Sequence, residues 1–287
     1  MITFIGIMSF ILGSVLTACI FSCIKNKTKE LPQKSVTEKK TEEKMSNTNE
    51  SYVKTELTFQ NYFYDWENRW IISSIIKTIK DDKNRFLILS GKSGLGKSHL
   101  LHAIQNTFID KYKNSNICYM VAESFVSEFC SSLREKKLDD FRKKYRELDV
   151  LLIDDFNYFC GKESIQEELA NTFSALQERG AYVGISITSP CNIKNDYSDR
   201  LSSFISNGVK IELPKPGPEA KRSKIMSICN QNLYIMSDKI INRILNYEYD
   251  YGMRELTGKL NTLISYKTLV GNSDILVKDV KKVFEEV

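Results

Sequence analysis

"LILSGKSGLGKSHLL" (residues 87–101) is the stretch whose reading decides the fold. Its spacing, Gly91-x-x-x-x-Gly96-Lys97-Ser98, is that of a loop that wraps phosphate. Glycines let the main chain turn tightly, so that successive N–H groups converge on phosphate oxygens. Gly91, Ser93, Gly94, Leu95, Gly96, Lys97, Ser98 and His99 are therefore the expected contacts for a nucleoside triphosphate. Within that set, Lys97 is expected on the β- and γ-phosphates and the Ser98 hydroxyl on Mg²⁺. The flanks agree. "RFLILS" (85–90) is an apolar run suited to a buried strand, and "KSHLLHAIQNTFIDKY" (97–112) has helical periodicity. The loop would open onto a helix N-terminus, where unpaired amides and the helix dipole favour anions.

A phosphate loop of this kind needs an acidic strand to face it. "DVLLIDDF" (149–156) supplies one: Val150 to Ile153 carry Asp154 to the C-terminal edge of a strand, where open α/β sheets bind ligands. Asp154 is expected to hold Mg²⁺ through its shell, and Asp155 to polarise an attacking water. Further apolar strand candidates at 116–121 and 182–187 alternate with helical patterns, which argues for βαβ units and a parallel sheet. Pro214, Pro216 and Pro218 break the chain, and amphipathic helical stretches follow near 218–232, 237–247, 252–269 and 277–286.

Composition sets the bounds. The chain has 287 residues, 42% hydrophobic and 27% charged, an ordinary globular balance. A net charge of +5 is too mild to argue by itself for nucleic acid. The cysteines (Cys19, Cys23, Cys118, Cys130, Cys160, Cys191, Cys229) form no C-x-x-C pair and no disulfide scaffold, so a reducing compartment is the default. His99 and His102, the only histidines, have no Cys or carboxylate beside them in sequence and read as packing or surface residues rather than a metal site.

Residues 1–24 contain no charge, and as a helix they would span about 36 Å, enough for a hydrocarbon core of about 30 Å. Lys25, Lys27 and Lys29 follow at once, which places residues 25–287 in the cytoplasm by the positive-inside rule. "LTAC" (16–19) resembles a lipobox, but no basic segment precedes it, and the expectation is a single-pass anchor in the cytoplasmic membrane. Residues 25–52 are a charged, solvated tether, and Met45 within it offers a second start that would shed the anchor. The expected organisation is thus a transmembrane helix at 1–24, a linker at 25–52, an α/β nucleotide-binding domain at 53–213 and a helical lid at 214–287.

From "LTFQNY" (57–62) onward the chain resembles the ATPase domain of the bacterial replication initiator DnaA, within the AAA+ superfamily. The matching runs are "GLGKSHLLHAI" (94–104), "VAESFVSEF" (121–129), "FRKKYRELDVLLIDDFNYFCGKESIQEELANTFSAL" (141–176) and "MRELTGKLN" (253–261). The resemblance implies a parallel sheet wrapped by helices, followed by a small helical lid, with ATP and Mg²⁺ as cofactors. It implies that Thr188 or Ser189 senses the γ-phosphate and that Arg254 reaches the phosphates from the lid. It implies as partners the replication initiator or other AAA+ subunits, with weak contact to single-stranded DNA through residues 123–146. "REKKLDDFRKKYRE" (134–147) suits either that contact or a solvated helix with pairs such as Asp139–Lys143.

Departures from the family pattern bear on what the nucleotide does. In "SDRLSSFISNGV" (198–209) Arg200 is retained, but Phe204 stands where the family has the arginine finger for a neighbour's ATP. A phenylalanine has no guanidinium donors, so trans-activated hydrolysis and ATP-dependent filaments come into doubt. Pro190 stands where the family usually has Asp, and Ser164 where it has an arginine used for single-stranded DNA. No stretch up to Val287 resembles a helix-turn-helix, so sequence-specific reading of duplex DNA is not expected. The leading expectation is an ATP-binding switch in replication at the inner face of the membrane. The alternatives are an oligomeric initiator or helicase loader on single-stranded DNA, and a degenerate scaffold that tethers a partner.

Overall fold

The computed structural model describes residues 54–284 except 82, 114, 248–251 and 271–274. The anchor and linker expected at 1–52 lie outside the described residues. Among the described residues no helix is long and apolar enough to cross a membrane.

A short strap, residues 54–69, leads into α1 (Trp70–Lys80), whose Ile71, Ile75 and Ile79 recur every four residues and are buried, while Lys77 and Lys80 sit in the last turn where the dipole favours cations. Five strands follow in chain order: β1 (Phe86–Gly91), β2 (Ile117–Val121), β3 (Val150–Asp154), β4 (Tyr182–Thr188) and β5 (Val209–Glu212). They form one sheet in the order β2-β3-β4-β1-β5, with every pair parallel. Because β1 and β4 are central and covered on both faces, they read as unbroken apolar runs rather than as alternation. The short edge strand β5, which the sequence pattern did not single out, is paired to β1 through Leu87–Val209 to Ser90–Glu212.

Each face of the sheet buries its own cluster. On one side α1 and α2 (Lys97–Lys111) pack Ile75, Leu100, Leu101, Ile104 and Phe108 against Leu87, Leu89 and Leu152. On the other, α3 (Ala122–Arg134), α4 (Leu138–Arg146), α5 (Glu163–Glu178) and α7 (Asp199–Asn207) enclose an aromatic core of Phe125, Phe141, Tyr145, Phe156, Phe159 and Phe173. A single turn, α6 (Ile193–Asp196), links β4 to α7.

The basic helix α4 is fastened inward. Arg142 and Arg146 both donate to the buried carboxylate of Glu168 on α5, at 3.0 and 2.6 Å, and Lys144 donates to Glu128 on α3 at 2.6 Å. Asp139 lies 3.7 Å from Arg142 rather than taking the i,i+4 partner Lys143 that spacing suggested. Arg142 thus meets Asp139 one turn along its own helix while it also reaches Glu168 on α5.

After β5 come α8 (Pro218–Gln231), α9 (Asp238–Leu245), α10 (Met253–Val270) and α11 (Val277–Phe284). These close on their own core of Ile225, Ile228, Ile241, Ile244, Leu256, Leu260 and Leu263. Pro218 starts α8 where its missing N–H costs nothing. That helix start is satisfied from the strap: Asp65 accepts the N–H groups of Gly217 and Ala220 at 2.6 and 3.2 Å. Strap, sheet edge and lid are thereby tied together around the end of β1.

Candidate nucleotide site

The loop between β1 and α2 carries left-handed main chain at Gly94 (φ +79°) and Gly96 (φ +92°), conformations that a Cβ disfavours. A Cβ on Gly96 would also lie 2.7 Å from the ring of Tyr62, which leans over the loop and donates its hydroxyl to the Leu95 carbonyl at 3.2 Å. Lys97 is buried at the start of α2, and its Nζ donates to the carbonyls of Gly91 and Lys92 at 2.8 and 2.9 Å. Burial holds its pKa below the ordinary value, offset by the negative charges of Asp154 and Asp155. Phosphate oxygens would offer Lys97 Nζ better acceptors than these two carbonyls.

Asp154 ends β3 and is buried. One carboxylate oxygen accepts from the Ser186 hydroxyl and from the Asp155 N–H at 3.1 Å, and the other accepts from the Tyr119 hydroxyl at 3.0 Å. With both oxygens engaged, Asp154 is suited to orient a hydrated cation rather than to ligate one directly. Ser98, half-buried on the first turn of α2, lines the same cavity. The donor set of oxygen atoms alone fits a hard cation of the Mg²⁺ type that keeps several waters. Asp155 adopts a left-handed conformation (φ 52°), and burial together with the adjacent Asp154 charge raises its pKa, against the pull of Lys97 and Arg254.

Between the segment after β3 and the end of β4 an amide clasp forms. Asn157 donates to the Thr188 carbonyl at 3.0 Å and accepts the Thr188 N–H at 2.6 Å. Thr188 is held in this way at the end of β4, facing the same cavity as Lys97, Asp155 and Arg254. The Ser189 N–H donates to the Gly91 carbonyl at 3.1 Å, which joins the sensor strand to the loop.

The lid completes the enclosure. Gly252 lies with its main chain on that of Gly94: a Cβ there would stand 2.6 Å from the Gly94 carbonyl carbon. Arg254, the second residue of α10, has its Cβ 3.4 Å from where a Gly94 Cβ would be. A cavity of about 360 Å³ is bounded by Ser93, Lys97, Ser98, Asp155, Thr188 and Arg254. Behind it, a smaller cleft of about 80 Å³ lies among Tyr62, Leu95, His99, Ile71, Pro214 and Met253. Lys224 of α8 lines both, and burial lowers its pKa.

The sequence-expected residues thus converge, and the histidines divide. His99 bonds the Thr58 carbonyl at 2.8 Å and meets Tyr62 edge-on at 5.5 Å, beside the smaller cleft. His102 is buried, stacked on Tyr119 at 3.9 Å and bonded to Gln105. Tyr62, Asn157, Ser186 and Lys224 were missed. Asn157 had a signal, as the one amide inside the apolar run that follows the acidic pair; the other three had none.

Helix α7 differs. Arg200 is laid over α5, with its guanidinium donating to Asn171 at 2.9 Å and to Glu167 at 3.4 Å. Phe204 is turned inward, its ring 5.8 Å from Phe173 and 6.2 Å from Phe86.

A family model described as the bacterial DnaA ATPase domain matches residues 53–212. Over 232 residues, 80% of this chain and 50% of the other, the sequence is 33% identical to the chromosomal replication initiator protein DnaA of Helicobacter hepaticus, so the chain spans about half the length of that curated relative. Domain III of the Thermotoga maritima replication initiation protein DnaA superposes with a TM-score of 0.73 at 27% identity, covering 82% of this chain and 98% of that one. A replication initiator DnaA solved with AMPPCP and single-stranded DNA gives a TM-score of 0.67 at 23% identity, over 77% of this chain and 68% of that one, a likeness of fold.

Proposed function

Because the chain belongs to the bacterial DnaA ATPase-domain family, we propose that it binds ATP with Mg²⁺ and acts as a nucleotide switch in the initiation or regulation of DNA replication. The loop from Gly91 to Ser98 holds the phosphates, with Lys97 on the β- and γ-positions. Ser98 and Asp154 would hold the cation. Tyr62, Leu95 and His99 bound the cleft left for the base. Bound Mg²⁺ would neutralise charge on the β- and γ-oxygens. Asp155 orients water, Thr188 donates its hydroxyl toward the γ-phosphate under the control of Asn157, and Arg254 reports from the lid. The observation that carries this reading is the convergence of Lys97, Asp155, Thr188 and Arg254 on one cavity.

A switch rather than a self-assembling ATPase is favoured by α7: Arg200 is engaged within its own subunit and Phe204 is packed inward. Arg142 and Arg146 of α4 are likewise engaged with Glu168, and Lys144 with Glu128. The partner that fits is an authentic initiator or another AAA+ subunit able to read the lid. Residues 1–24 hold the switch at the inner face of the cytoplasmic membrane, with α8 to α11 as the lid that moves.

The test is ATP–Mg²⁺ binding to the full chain in detergent, with its mass followed by light scattering alongside ADP–Mg²⁺ and no nucleotide. The expected result is saturable ATP binding, weakened in Lys97→Ala, with no change in mass. ATP-driven growth of the particle would instead establish the oligomeric reading, and absence of nucleotide binding would leave a scaffold.

A further inference from the structure

Cys118 and Cys229 behave as small hydrophobes, buried within the sheet and lid clusters. Cys160 and Cys191 do not. Far apart in sequence, they meet at the edge of the aromatic core beside a carboxylate. Cys160 ends the turn that follows β3, Cys191 lies just past β4, and Asp196 closes α6. The two Sγ atoms and an Asp196 carboxylate oxygen all lie within 4.8 Å of one another. Cys191 Sγ is 3.5 Å from Asp196 Oδ2 and 3.9 Å from the Tyr197 hydroxyl. The same Asp196 oxygen accepts the Asn192 N–H at 2.8 Å, which fixes the carboxylate from behind. All three residues are half-buried.

The 3.5 Å between Cys191 and Asp196 is the edge of a metal-centred tetrahedron, and the 4.8 Å within which all three atoms lie admits the other edges. With bonds of about 2.3 Å to sulfur and about 2.0 Å to oxygen, a zinc ion places sulfur about 3.5 Å from oxygen and about 3.8 Å from the second sulfur. We propose that Cys160, Cys191 and Asp196 bind a soft divalent cation of the zinc class, with the fourth position left to water. On binding, two sulfur–metal bonds and one oxygen–metal bond form, and the two thiol protons leave to solvent. Thiolates select such a cation over Mg²⁺, so the site does not compete for the hard cation at the phosphate loop. It cross-links the segments after β3 and β4, the same two that Asn157 and Thr188 already clasp. The site stands on its own geometry and does not depend on the nucleotide reading.

The test uses the full chain, reduced and stripped of metal by chelation, with Co²⁺ and then Zn²⁺ as probes. One equivalent of Co²⁺ should give a thiolate-to-metal charge-transfer band that one equivalent of Zn²⁺ removes. C160S and C191S should lose the band, D196A should weaken Co²⁺ binding by about tenfold or more, and C130S should keep it. Alkylation mapping of the unmutated chain makes the result independent of how the variants fold: Zn²⁺ should slow modification of Cys160 and Cys191 by about tenfold or more and leave Cys130 unchanged. The proposal is overturned by equal alkylation rates with and without Zn²⁺, by a cobalt band that survives both serine variants, or by a Cys160–Cys191 disulfide in a chain whose reduced form has no affinity for Zn²⁺.

Discussion

At the end of β1 the polar groups of four separate elements face one cavity: Lys97 from α2, Asp155 after β3, Thr188 from β4 and Arg254 from α10. On α7 the groups turn back into their own fold, Arg200 onto Asn171 and Glu167, and Phe204 against Phe173 and Phe86. The first arrangement can be completed by one chain. The second is what a chain would have to extend outward to act on a neighbour, and here it is spent on internal packing. Holding a nucleotide and answering to a neighbour's nucleotide are separable properties, and the proposed switch needs only the first.

The contrast can be broken most sharply at Lys97. Its Nζ makes two charge-assisted bonds inside the turn, so Lys97→Ala should weaken ATP by about 10- to 100-fold in a titration with a fluorescent analogue. A change of that size from Arg200→Ala instead would reverse the assignment of the two regions. Next in size, Phe204→Ala should cost about 2 kcal/mol of stability, read from the urea midpoint, because a half-buried ring leaves an aromatic cluster. ATP affinity should stay as it was. A phenylalanine whose removal left stability untouched would be free to act outward.

A pH series sharpens the comparison further. Burial holds the pKa values of His99 and His102 below the usual 6.5. The unfolded chain therefore takes up these protons first, so the stability they leave intact is complete above about pH 6.5. It is lost as pH falls from there toward the folded values. The urea midpoint should drop over that window, and His99→Gln should reduce the slope without abolishing it, since His102 remains. The smallest effect belongs to Arg200→Ala: its partners are exposed, so the change should be within about 0.5 kcal/mol with the pH slope unaltered.

Much of this was legible in sequence because the signals are local. The loop spacing, the apolar run into Asp154 and the prolines before α8 each lie within one short window, and the strands at 86–91, 117–121, 150–154 and 182–188 fall within a residue of their expected places. What was illegible is made by contacts across the sheet. Ser186 reaches Asp154, and Asn157 reaches Thr188, only because β3 and β4 are neighbours. Tyr62 matters through a strap folded over the loop, and β5 is four residues at an edge, too short to carry a period. Composition alone also left α4 undecided, since its arginines look the same in sequence whether they meet Glu168 or phosphate.

One contact sets how tightly these parts are coupled. Between Gly94 of the loop and Gly252 ahead of α10 there is no side chain, only main chain against main chain. A side chain at either position would act as a cushion, absorbing small displacements by rotation. Without one, the pair is a latch with no play: a shift of the loop carbonyl passes undiminished into the lid. A nucleotide leaving the loop would have to part glycine from glycine. For the switch proposed above, that junction is where nucleotide release and lid movement would be coupled.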